Sequence, residues 1–205
     1  MQKGVFPFAN PSSLHGPGRE AKKWIRQTSD YLFELFGLKK SHDLIFHSGA
    51  TEGINWVLKG LAGHAQAQNQ PLNLVYSPSD HKAVVEVVHS LLTQGHTSHE
   101  IALDRQGEFS LEAILPLLKA TPSLLNYTWV HNETGVTWPL KWAQELKSQS
   151  GCFLHVDAVQ APGKIENYFP LPEEIDAYTF SGHKFGAMKG GRIGKWKNAL
   201  LQQTG

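Results

Sequence analysis

Lys184 stands in "SGHKFG" (181–186), directly after the apolar run "AYTF", with His183 beside it and glycines on both sides. A lysine amine that is desolvated or crowded by cations loses its proton and can condense with an aldehyde. A surface lysine in a glycine loop has the same letters, so the other chemistry-bearing positions must discriminate. Asp157 in "FLHVDAVQ" (153–160) closes a second apolar run. It should be partly buried, and a buried carboxylate wants a cation; a helix cap or a structural ion pair is the plainer role. Gln160 lies three residues on. "FHSGATEG" (46–53) reads as strand, small-residue turn, helix, which aims free N–H groups and a helix dipole at an anion, typically phosphate. Gly49 and Ala50 permit close approach, and the hydroxyls of Ser48 and Thr51 can add hydrogen bonds. An ordinary capped turn looks the same. The stretch fits neither G-x-x-x-x-G-K-[ST] nor G-x-G-x-x-G, so neither nucleotide fold is supported. His81 opens a helix in "SDHKAVVEVV" (79–88), and Asn132 follows a strand in "HNETGV" (131–136).

Each feature has a bland reading alone. Together, Lys184, Asp157 and the 48–51 turn describe an aldehyde trap, a partner for a protonated pyridine nitrogen and a phosphate cup, the parts of a pyridoxal phosphate site. The imidazole of His81 could stack on the ring, Gln160 could reach a phenolic oxygen, and Ser181 and His183 are placed for the phosphate or the ring. Two other chemistries are weaker. His96 and His99 lack a third obvious metal ligand. The four basic residues around Trp196 in "KGGRIGKWKN" read as a solvated tail rather than a nucleic-acid surface.

The elements that must position these residues alternate. Helices are expected over 18–37 with Gly37 as the stop, from 50, from 80 to Gly95 with Ser79 or Asp80 as cap, from Ser110 with a kink at Pro116, and from Pro139. Short strands are expected over 43–49, 72–78, 99–104, 124–131, 152–158 and 177–182. This pattern implies an α/β fold with a mainly parallel sheet sandwiched by helices, whose ligands sit at the C-terminal strand ends. The candidate residues fall at five such ends.

The chain has 205 residues, 40% hydrophobic and 18% charged, enough apolar material for a core. Its formal net charge of +1 gives no general pull toward nucleic acid or membrane. A single cysteine, Cys152, excludes an internal disulfide framework and fits a reducing compartment. No apolar run approaches the roughly 20 residues of a membrane helix. The expectation is a soluble, cytoplasmic protein.

Six blocks in order, "NPSSLHGPGREAK" (10–22), "SGATEGINWVLKG" (48–60), "HKAVVEV" (81–87), "NETGV" (132–136), "HVDAVQAPGKI" (155–165) and "SGHKFGAMKG" (181–190), resemble the cysteine desulfurases. These form a branch of the class V aminotransferase group with the fold type I pyridoxal phosphate architecture. The resemblance implies Lys184 as the Schiff-base lysine. It implies Ala50, Thr51, Ser181 and His183 around the phosphate, and His81 on the ring. Asp157 would be at the pyridine nitrogen, with Asn132 and Gln160 at the ring oxygen. It implies L-cysteine as substrate, converted to alanine while the sulfur passes to an enzyme cysteine as a persulfide. It also implies a homodimer, a sulfur-acceptor or scaffold protein as partner, and a place in iron–sulfur cluster assembly.

Residues 1–205 are expected to form part of the large cofactor domain, incomplete at both ends, with 191–205 a divergent tail and the small C-terminal domain absent. Family members are about twice as long. They carry a persulfide cysteine loop, a cross-dimer phosphate contact and a substrate arginine after the lysine loop. Cys152 in "SGCFLHVDA" does not match that cysteine and reads as a small core residue. The expectation is therefore a desulfurase-like chain inactive alone. A non-catalytic remnant or cofactor-binding module is one alternative; a class V aminotransferase or selenocysteine lyase is another.

Overall fold

A computed structural model describes residues 9–38, 41–166, 169–185 and 193–197. They fall into two compact units: the N-terminal segment up to residue 40 with Phe169–Leu171, and the remainder.

The first unit is built on helix α1 (Gly16–Phe36). It starts two residues earlier than its periodicity suggests, because Pro17 suits the first turn and the His15 side chain accepts from Gly18 N at 3.2 Å. Gly37, at φ 72°, ends it in the left-handed conformation and donates to Phe33 and Glu34 carbonyls. Phe36 packs on Phe169 at a centroid distance of 5.3 Å, and Leu171 N donates to Phe36 O.

The second unit is a sheet of seven strands: β1 (His42–Phe46), β2 (Asn73–Tyr76), β3 (Thr97–Glu100), β4 (Ser123–Thr128), β5 (Phe153–Asp157), β6 (Ala177–Thr179) and β7 (Ile193–Lys197). Their order is β1-β7-β6-β5-β4-β2-β3. Strands β2 to β6 are mutually parallel; β7 runs antiparallel between β6 and β1. The basic segment expected as a solvated tail thus supplies, at 193–197, a strand with neighbours on both edges. In "IGKWK" a glycine follows the isoleucine and lysines flank the tryptophan, so no alternating apolar run marks a strand.

Helices α2 (Ala50–Ala67), α3 (Lys82–Leu92), α4 (Leu111–Ile114) and α5 (Leu140–Ser150) connect the strands. At Pro116 the expected kink is a change from α4 to a 3-10 turn over Leu115–Leu118, since proline offers no N–H to the α pattern. Ile54, Val57, Leu58, Val84, Val88 and Leu91, at helical spacing on α2 and α3, form one core with Leu74, Tyr76 and Leu124 of the sheet. On the opposite face of β4, Tyr127 lies against Phe109 and Trp138, and Phe109 meets Trp142 of α5 edge-on at 5.5 Å. Helices therefore cover both faces, which is why β2 and β4 are buried at every residue. Among the described residues, no helix is long and apolar enough to cross a membrane.

Candidate active site

Ala50 and Thr51 open α2 directly after β1, so the first N–H groups of an 18-residue helix point beyond the strand end. The expected hydroxyl of Ser48 is otherwise engaged. Ser48 donates from Oγ and, at 2.6 Å, from N to the Glu52 carboxylate, which closes the turn and holds that carboxyl below its usual range. Gly53, one turn in, lets the His47 ring pack close against the helix. A Cβ there would stand 2.7 Å from His47 Nε2 and 3.2 Å from Thr179 Cγ2.

The cap of α3 is His81, not Ser79 or Asp80: its Nδ1 accepts from Ala83 N at 3.1 Å. Asp80 is turned inward instead. His131 ties this loop to the next strand end. Its Nε2 donates to Ser79 O at 2.8 Å, while Nδ1 accepts from the N–H groups of Glu133 and Thr134. Asn132 lies within that turn.

Asp157 ends β5 and is 6% exposed. Burial raises the pKa of its carboxyl, against the Val159 N–H it accepts at 3.0 Å and the charge of His81. Among the described residues no lysine or arginine pairs with it. Gln160 Oε1 accepts from Lys164 Nζ. After β6 the chain makes a 3-10 turn over Gly182–Phe185 rather than extending the strand to 182. That turn is closed by Lys184 N donating to Ser181 O at 3.0 Å and by a 2.9 Å hydrogen bond between Ser181 Oγ and His183 Nδ1.

These strand ends enclose one pocket of about 360 Å³. The α2 start brings Ala50 and Thr51 to it, and the α3 start brings His81. Asn132 comes from the loop after β4, Asp157 and Gln160 from the end of β5, and Ser181, His183 and Lys184 from the turn after β6. These nine residues stand on its wall, whereas Ser48 and Gly49 of the same turn do not line it. Thr128, Val130, Val159 and Ile54 complete it and were not singled out. Thr128 is the last residue of β4, and its place at a C-terminal strand end was the available signal.

Residues elsewhere fall out differently. Cys152 is 2% exposed, and burial pushes its thiol up. His96 is buried and accepts from Leu72 N at 3.0 Å. Among the described residues no group of three or more His, Cys, Asp or Glu side chains could hold a metal.

The family model of aminotransferase class-V matches residues 7–204. The chain belongs to the aminotransferase class-V family. A cysteine desulfurase of Cereibacter sphaeroides is 33% identical to this class-V chain over 184 residues, covering 89% of it and 46% of the relative. A solved NifS-like protein superposes with a TM-score of 0.87 at 30% identity, over 95% of this chain and 53% of the other. A solved complex of SspA with cysteine superposes at 0.82 with 25% identity, covering 93% and 53%. The class-V chain thus spans about half the length of the relatives it matches. Cysteine desulfurases and class V aminotransferases depend on pyridoxal phosphate, and the fold is that of the type I enzymes.

Proposed function

We propose that this pocket binds pyridoxal 5'-phosphate and that the chain is a cysteine-desulfurase-like protein of the NifS-like kind, with L-cysteine as the substrate of that chemistry and no sulfur transfer by this chain alone. The observation that carries the reading is the buried carboxylate of Asp157, which shares a pocket with Lys184 and the α2 start and has no lysine or arginine partner among the described residues. Such a carboxylate is costly unless a cation reaches it, and a protonated pyridine nitrogen is a cation of the right shape. The donor set fits the remaining parts of that cofactor.

In this reading the N–H groups at Ala50 and Thr51, with Ser181 and His183, bind the phosphate. Lys184 Nζ would be the amine that holds the aldehyde carbon. Asp157 would keep the proton on the ring nitrogen, His81 would support the ring, and Asn132 and Gln160 would serve its oxygen. Bound there, the cofactor supplies an electron sink for bonds at an amino acid's α-carbon. The solved complex of a similar protein with cysteine supports the choice of substrate. A homodimer, a sulfur-accepting partner protein and a cytoplasmic setting belong to the same reading. So does the assignment of these residues to part of the large cofactor domain.

Borohydride reduction of the chain after incubation with pyridoxal phosphate, followed by peptide mass spectrometry, tests it. The pyridoxyl mass is expected on Lys184. Labelling spread over surface lysines, with none at Lys184, overturns the assignment.

A second reading, a cofactor-binding module that does not itself turn cysteine over, is favoured by one observation. The chain's only thiol, Cys152, is buried. A persulfide-forming thiolate must be exposed and of suitable acidity.

A further inference from the structure

Asp80 stands outside the pocket, 5% exposed, one residue before His81. Three donors converge on its carboxylate. Ser77 N at 3.0 Å and Asn126 Nδ2 at 2.8 Å reach Oδ2; Thr128 Oγ1 at 2.6 Å reaches Oδ1. Among the described residues no lysine or arginine pairs with it. The row continues across the sheet. Asn126 Oδ1 accepts from His155 Nδ1 at 2.6 Å, and His155 Nε2 accepts from Thr179 Oγ1 at 2.9 Å. Every polar atom in this row has a partner, so the loop after β2 is fastened through side chains to β4, and onward to β5 and β6.

Alternation gives this row its meaning. Asn126 and Thr128 share one face of β4, as His155 and Asp157 share one face of β5. Thr128 and Asp157, the outer pair, line the pocket. Asn126 and His155 are one step deeper and are 1% and 0% exposed. Within the loop, Asp80 N donates to Ser77 O at 2.9 Å, and Ser77 Oγ meets Ser79 Oγ at 2.8 Å and accepts from Ser79 N at 3.2 Å; His131 Nε2 adds its 2.8 Å tie to Ser79 O. His81 takes its place at the pocket wall from this loop.

We propose that Asp80 is a positioning residue of the pocket: its buried carboxylate pins the 77–81 loop to β4 through Thr128 and Asn126, and thereby sets where the imidazole of His81 stands. Burial and the charge of Asp157 push its carboxyl up, to about 6, against the pull of its three donors. At neutral pH it is ionised and accepts from all three. The consequence for cofactor binding rests on the pyridoxal-phosphate reading; the fastening of the loop does not.

Asp80→Ala tests this, because it leaves Ser77 N, Asn126 Nδ2 and Thr128 Oγ1 without their shared acceptor. Thr128→Val removes a single donor at constant shape and decides the matter if Asp80→Ala fails to fold. Without cofactor, amide exchange over residues 77–84 is expected to accelerate about tenfold or more in Asp80→Ala and less in Thr128→Val. The His81 ring proton resonances should shift while exchange within α2 stays as in the parent chain. With pyridoxal phosphate, half-saturation of the Lys184-dependent visible band should need about tenfold more cofactor. Unchanged exchange and unchanged His81 resonances in the folded variants overturn the proposal. So does a uniform acceleration across the sheet, which marks a purely structural loss. If the parent chain gives no Lys184-dependent band, the cofactor reading fails, and the loop measurements still decide the role of Asp80.

Discussion

Asp80 and Asp157, two buried carboxylates, are separated by one residue of β4: Thr128 donates to Asp80 at 2.6 Å and stands in backbone register with Asp157. The arrangement places two acids and one neutral imidazole, His155, on the same stretch of sheet. It makes stability depend on pH in opposing directions.

Asp80 has its carboxyl raised from 3.8 to about 6, so the folded chain holds that proton more tightly than the unfolded chain. Its ionisation costs stability as pH rises between these values, and Asp157, also raised by burial, acts in the same sense. His155, buried and lowered from 6.5 to about 3, does the reverse: its contribution is complete above 6.5 and is lost as pH falls toward 3. Between about pH 4 and 6 the slopes oppose. Asp80→Asn should therefore gain stability with rising pH in that window more steeply than the parent chain, by up to about 1.4 kcal/mol per pH unit. Urea midpoints across the window measure this, and equal slopes in the two proteins would refute the linkage.

Lys184→Ala is expected to abolish the visible absorbance that pyridoxal phosphate develops with the parent chain. The lysine side chain reaches the same pocket as Asp157 and the α2 start. An unchanged spectrum in the variant would sink the assignment of Lys184.

Asp157→Asn should harm cofactor chemistry more than His81→Ala. An amide cannot hold a proton on the ring nitrogen, whereas ring stacking contributes about 0.5–1.5 kcal/mol. Comparing the slow spectral changes that an added amino acid produces in the two loaded variants provides the measurement. Equal losses argue against the pairing of Asp157 with the ring.

Sulfide release from cysteine by the 205-residue chain should not exceed that of free pyridoxal phosphate. Cys152 is 2% exposed with its thiol pushed up, so little thiolate is available to take the sulfur. Robust turnover that disappears in Cys152→Ser would overturn this expectation.

Gly53→Ala is expected to cost about 1–3 kcal/mol, despite alanine's better helix propensity, because the new methyl meets His47 at 2.7 Å. Thermal unfolding measures it. A stabilised variant would show that His47 can move aside.

How much was legible follows from how local each signal is. The five strand ends could be found because β2, β4 and β5 are short apolar runs broken by polar residues, and ligands gather at such ends. The α3 cap was misplaced because Ser79, Asp80 and His81 all have acceptor side chains, and only the partners on β4 decide which one turns inward. Those partners are 46 and 48 residues away in sequence. Thr128 and His155 were passed over for the same reason: a threonine or histidine inside an apolar strand reads as filler until its cross-strand neighbours are known. Strand β7 was missed because nothing in "RIGKWK" alternates.

The insertion of β7 between β6 and β1 also orders the events of synthesis. A nascent chain makes β1 and α2 early, yet among the described residues the sheet partner of β1 is β7, at residues 193–197. Until the ribosome has released that segment, the strand leading into the Ala50–Thr51 turn lacks the one neighbour it has among the described residues. The wall of the pocket that carries Ala50 and Thr51, translated before its other walls, is thus among the last to be locked into the sheet.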